Sequence, residues 1–164
     1  MRGFQLWINL PAKEKMKPAG YRVIQPDEIP VIDVAGARVK VIAGVFGKTP
    51  GPVKGGSTDP IYWDVSVPAG KTFTQEIPKD HTVYVYPFEG NVEIGDRVLR
   101  THCGGVLGAG DSVEIRASEE GARFLLLAGR PLREPVVQYG PFVMNTREEV
   151  EQAIRDYQNG VLAV

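Results

Sequence analysis

Cysteine is nearly missing from these 164 residues: Cys103 stands alone. An intrachain disulfide is therefore excluded, and a reducing, cytoplasmic setting is the expectation. Histidine is scarce too, with only His81 and His102. A histidine-rich metal centre cannot be built from two imidazoles alone. No apolar run approaches the ~20 residues of a membrane-spanning helix, so no membrane partner is expected. The opening MRGFQLWINLP is too short and too polar-flanked for a secretory signal. No charge sign dominates, with 19 Lys plus Arg against 20 Asp plus Glu. No basic cluster with interleaved aromatics appears, so direct nucleic-acid binding is not expected.

Glycine (19) and proline (13) are plentiful and dispersed. That pattern suits many short strands separated by turns rather than a disordered tail. Phe4–Asn9 reads as an apolar strand, and PAKEKMKPAG after it as a loop. Val31–Val34 and Ala37–Ala43 read as a hairpin around Gly36, and 44–60 as a surface loop. Ile61–Val67 alternates apolar and polar residues, which predicts one buried face. Thr72–Ile77 and Thr82–Tyr86 form a strand pair, and Gly95-Asp96 a tight turn between Asn91–Ile94 and Arg97–Arg100. Ser112–Arg116 and Arg123–Ala128 follow; the latter, RFLLLA, is apolar on both faces and therefore central.

The period changes only at the end. Thr146-Arg-Glu-Glu149 is a capping box, with Asn145 as a competing cap. Val150, Ile154, Tyr157 and Val161 then share a helical stripe that Gly160 stops, predicting a helix over about 146–159. About ten strands followed by one amphipathic helix predict an all-β barrel or two-sheet domain, with 1–164 as a single domain.

The stretch GKTFTQEIPKDHTVYVYPFEG (70–90) has the spacing of the first cupin motif, Gly-x5-His-x-His-x3–4-Glu-x6-Gly. Aligning Gly70 and Gly90 with its glycines puts the ligand positions at Glu76, Pro78 and Val83. GAGDSV (108–113) matches the second motif, with Val113 at its ligand position. Only Glu76 carries a donor, so no mononuclear metal site is expected, and no cofactor. QLWINLPAKEKMKP (5–18), VKVIAG (39–44), RFLLLAGRPLREPVVQYGPFVMNT (123–146) and QAIRDYQNG (152–160) resemble the C-terminal half of the pirin family. The resemblance implies a single cupin, a double-stranded β-helix or jelly-roll barrel, with a C-terminal α-helix. Pirins are bicupins whose iron, held by three histidines and a glutamate, lies in the N-terminal cupin; the C-terminal cupin is usually metal-free. Quercetin 2,3-dioxygenase activity is associated with the family, and nuclear transcription-factor regulation with its mammalian members. No iron ligand carries over to this sequence, because the resemblance covers the other half.

Several residues remain as candidates. His81 and His102 read as polar loop residues, and Cys103 has no charged activator nearby in sequence. Glu76 is either a solvated rim residue or an acid in a barrel-interior pocket that Trp63, Tyr84 and Tyr86 would line; the aromatics otherwise read as plain core. Tyr139, Phe142, Val143 and Met144 lie in an exposed-looking loop. With Val150, Ile154 and Tyr157 they form either a partner-docking surface or a cover for their own barrel end. Three functions follow as expectations. The first is a non-catalytic binding or assembly module, forming a homodimer or docking a separately encoded iron-binding cupin. The second is a component of a split pirin with quercetinase-like activity. The third is a metal-independent small-molecule enzyme using Glu76.

Overall fold

The computed structural model describes residues 3–162. They divide into two compact units, one comprising Ile24–Pro131 and the other the segments up to Val23 and from Leu132 onward.

The first unit is built from antiparallel strands β1 (Val31–Val34), β2 (Ala37–Ala43), β3 (Val45–Phe46), β4 (Thr49–Pro50), β5 (Ile61–Val67), β6 (Thr72–Glu76), β7 (Thr82–Glu89), β8 (Val92–Ile94), β9 (Arg97–Leu99), β10 (Gly105–Val106), β11 (Ser112–Ala117) and β12 (Ala122–Gly129). A six-stranded sheet runs β1-β2-β5-β12-β7-β10 and a four-stranded sheet β6-β11-β8-β9. Their apolar faces meet in one core that joins Val39, Trp63, Val85 and Leu126 of the larger sheet to Phe73, Val92, Val113 and Ile115 of the smaller. Strand alternation produces this, because β5 buries Ile61, Trp63, Val65 and Val67 and turns Tyr62, Asp64 and Ser66 the other way. RFLLLA takes the interior place expected of it, as part of β12 between β5 and β7.

The segment 44–60 is more than a surface loop. It folds into the β3–β4 hairpin, and Phe46 is buried among core aromatics, edge-on to Trp63 at 5.1 Å and stacked with Phe73 at 6.3 Å. Gly51 is needed because any Cβ there would lie 2.8 Å from the carbonyl oxygens of Val41 and Ile42. On the opposite face of the larger sheet, Arg123 Nε and Nη2 donate to the two carboxylate oxygens of Asp64, at 2.8 and 2.5 Å. The guanidinium also lies 5.1 Å from the Phe88 ring centre. That bidentate bond raises the pKa of Arg123 further, fixing it as a cation.

The second unit holds the hairpin β13 (Val137–Tyr139) and β14 (Phe142–Met144), and helix α1 (Arg147–Gln158). The block expected to be a loop is thus a strand pair, with Tyr139 opposite Phe142 across the Gly140-Pro141 turn. The capping box forms as read: Thr146 Oγ1 accepts from the Glu149 amide, and Glu149 Oε2 accepts from the Thr146 amide. Phe4–Asn9 lies in no strand. An alternating apolar pattern favours extended backbone, but only a ladder partner makes a strand. Among the described residues no helix is long and apolar enough to cross a membrane.

Candidate functional site

The candidate site lies at one end of the sandwich, where β6 and β11 begin their ladder. Phe73 and Gln75 of β6 face Ile115 and Val113 of β11. Phe73, Val113 and Ile115 are buried, as is Ile77 just past the end of β6. Period two then sends Thr74 and Glu76 to the opposite face, where Glu76 is exposed beside Ser112. The ligand positions assigned by motif spacing at Glu76 and Pro78 are therefore off by one residue, and the interior positions are Gln75 and Ile77. Val83 and Val113 do point into the core. The inward set is Gln75, Ile77, Val83 and Val113, which offers one amide oxygen and three hydrocarbons. It does not fit an iron that needs imidazole and carboxylate donors. Among the described residues no group of three or more His, Cys, Asp or Glu could hold a metal ion.

Above these residues opens a cleft of about 820 Å³ lined by Trp63, Gln75, Glu76, Lys79, Asp111 and Ser112, with Asp59 and apolar Ile61, Ile77 and Pro78. Trp63 and Glu76 both line this cleft, Trp63 from the core and Glu76 as an exposed residue at its rim. Tyr84 and Tyr86 are not. In β7 it is Val83 and Val85 that face the core, so both tyrosines project to the other side, level with Leu127 and Leu125. Tyr84 packs on the turn after His102 and Cys103, where a Cβ on Gly104 would collide with its hydroxyl. His102 takes a left-handed backbone (φ 65°), and Cys103 is exposed.

His81 is the residue that sequence reasoning underrated. Its side chain is 1% exposed. Its Nδ1 lies 2.9 Å from Asp80 Oδ1 and its Nε2 2.9 Å from the Asp59 carbonyl oxygen. Arg130 Nε donates to the other Asp80 oxygen at 2.7 Å. The ring ties the Asp59 loop to the start of β7, and Asp59 itself is held in a left-handed conformation (φ 44°). A histidine following Asp-containing turn residues gave no periodic signal of this burial. The Arg130 hydrogen bond, and then that of His81, lower the Asp80 pKa from 3.8 to about 2. Asp80 therefore contributes stability that is complete above pH 3.8 and is lost as pH falls through about 2. Thermal melts of Asp80→Asn should lie below those of the parent at neutral pH. The gap should close only in that acidic interval; a gap independent of pH would refute the ion-pair account.

In the other unit, Phe142 meets Tyr157 edge-on at 6.1 Å, and Val150 and Ala153 are buried. Val143, Met144 and Ile154 are half-buried. Tyr139 is 69% exposed and Tyr157 68%. Lys15 Nζ donates to the Val143 carbonyl (2.9 Å) and to Asn9, anchoring the early segment to the hairpin. The proposed docking residues thus split, with Val150 as internal packing and the two tyrosines facing outward.

Comparison with known proteins places this geometry. Residues 62–163 match the pirin C-terminal cupin domain. A Pseudomonas aeruginosa protein bearing a quercetin 2,3-dioxygenase name is 48% identical over the whole of this chain and 60% of its own length. Human pirin is 39% identical over 96% of this chain and 56% of its own. The crystal structure of a quercetin 2,3-dioxygenase from Acinetobacter baumannii superimposes with a TM-score of 0.86 at 37% identity, covering 94% of this chain and 54% of that one. The chain spans a little over half the length of these relatives. With a cupin fold, a C-terminal helix and this match, the chain belongs to the pirin family, as a C-terminal cupin domain.

Proposed function

We propose that this cupin is a metal-free, non-catalytic module that works by assembly, docking to a metal-bearing cupin of the pirin type. The observation that carries the reading is the inward set Gln75, Ile77, Val83 and Val113, which lacks the donors a catalytic iron requires. The quercetin 2,3-dioxygenase chemistry in the names of its relatives belongs, on this reading, to the partner, supplied by a separate chain. Exposed Trp7 (69%), Tyr139 and Tyr157 supply the aromatic anchors that such interfaces favour. Self-association as a two-fold dimer would use the same residues on both copies. A metal-independent enzyme built on Glu76 has less support, since that carboxylate is solvent-exposed at the rim of the cleft rather than enclosed within it.

The chain, loaded with ferrous iron and washed with chelator, should retain far less than one iron per molecule. Its quercetin turnover should equal that of free iron. Light scattering should show a mass above that of one chain, or a complex with a pirin iron cupin, and Tyr139→Glu with Tyr157→Glu should abolish it while leaving the circular dichroism intact. Stoichiometric iron with turnover would overturn the non-catalytic reading. A monomer that ignores the iron cupin would overturn the docking.

A further inference from the structure

The cleft beside Trp63 carries chemistry that docking does not use. Trp63 is 1% exposed, and its indole Nε1 is buried with no hydrogen-bond partner. Among the described residues the other buried side-chain atom without a partner is the Asn145 oxygen in the second unit. An indole N–H can only donate, and a buried donor left unmade is costly, so its natural complement is an acceptor oxygen. At the rim the charges run the opposite way. Asp59, Glu76 and Asp111 line the cleft against a single cation, Lys79, which is engaged by Asp111 at 3.2 Å. Asp59 faces His81, its carboxylate 3.8 Å from Nε2. Gln75 Nε2 donates to the Glu76 backbone carbonyl at 3.3 Å, and the Glu76 carboxylate is exposed at the rim.

We propose that this cleft binds a neutral polyhydroxy compound, of the polyol or monosaccharide class. A hydroxyl both donates and accepts, so a group of neighbouring hydroxyls satisfies Glu76 while accepting from Trp63 and Gln75. An anion would satisfy the indole but be repelled by the three carboxylates, and an ammonium ion would pair with Glu76 but leave the indole unmet. The apolar walls of Ile61, Ile77 and Pro78 take the C–H faces of such a ligand. The volume of about 820 Å³ lies within the range of small-molecule sites.

The two tryptophans make the test direct, because Trp7 in the other unit supplies an internal control. In nitrogen-15 spectra of the whole chain, glucose, sorbitol and myo-inositol would be titrated alongside glucuronate and glucosamine. At least one neutral compound should move the Trp63 indole signal to saturation and leave that of Trp7 in place, with glucuronate weaker by about tenfold. Glu76→Lys, an exposed change that spares the core, should reverse the order of the neutral compound and glucuronate. No movement of the Trp63 signal with any neutral compound overturns the proposal. So does glucuronate or glucosamine binding as tightly as the best of them, or an order of preference that Glu76→Lys leaves unchanged.

Discussion

Replacing Gly90 with alanine is expected to cost about 4 kcal/mol, a large share of the stability of an ordinary domain. Gly90 has φ 67°, and a Cβ there would lie 2.1 Å from the Gly121 carbonyl oxygen, with Ala122 Cα at 3.2 Å. Both close atoms are backbone, so no side chain can swing aside. The strand end of β7 would have to part from the start of β12, and those two strands carry the core pairs Val85–Leu126 and Val83–Ala128. Gly95 is the matched control. Its φ is 60° and nothing lies within 4 Å of the place a Cβ would take, so its alanine incurs only the left-handed penalty of about 1–2 kcal/mol. Urea unfolding of both variants separates crowding from conformation; equal losses would show that the close approach at Gly90 relaxes freely.

Phe46→Ala should cost about 3–5 kcal/mol. Phe46 comes from a glycine- and proline-rich segment, yet it is 7% exposed and touches both Trp63 and Phe73, the latter in turn 6.1 Å from Phe124. Removing the ring opens a void in the middle of an aromatic run and unpins β3; Val45 and Gly47, on either side of Phe46, line the cleft. The loss should therefore appear twice, as a lower urea midpoint and as faster amide exchange across Gly44–Gly47. A Phe46→Leu variant, which keeps most of the volume, should recover more than half of the stability. An alanine variant as stable as the parent would mean that the hairpin merely rests on the core.

What could be read in advance follows from where the physics is local. The alternation in Ile61–Val67, the doubly apolar RFLLLA and the Thr146–Glu149 box each settle their own structure within a few residues. The spacing of the motif glycines puts Glu76 at a ligand position, one residue away from the interior position that Gln75 occupies. Phe73, Gln75 and Ile77, at alternate positions, already state the inward face by period two. The burial of His81 and Phe46 depends on Asp59, Arg130, Trp63 and Phe73, partners distant in sequence, and no window around either residue contains that information. Tyr84 and Tyr86 lie away from the cleft for a simpler reason: Val83 and Val85 take the core face of β7, and only one of two alternating sets can face it. The β13–β14 hairpin hid behind Gly140-Pro141, a turn pair that reads equally as loop punctuation.

The order and length of the strands bear on how the protein behaves when crowded. The longest strands, β7 and β12 with eight residues each, are paired on both sides. The larger sheet ends in β10, two residues long, and in β1, whose VIDV carries Asp33 in the middle; the smaller ends in β9, three residues opening with Arg97, and in β6, which closes on Glu76. Each free edge is short or charged, so it makes a poor template for another chain's backbone. The sticky β sequences are sealed inside, and amyloid-like growth from the native state would first require β7 or β12 to be torn from its neighbours.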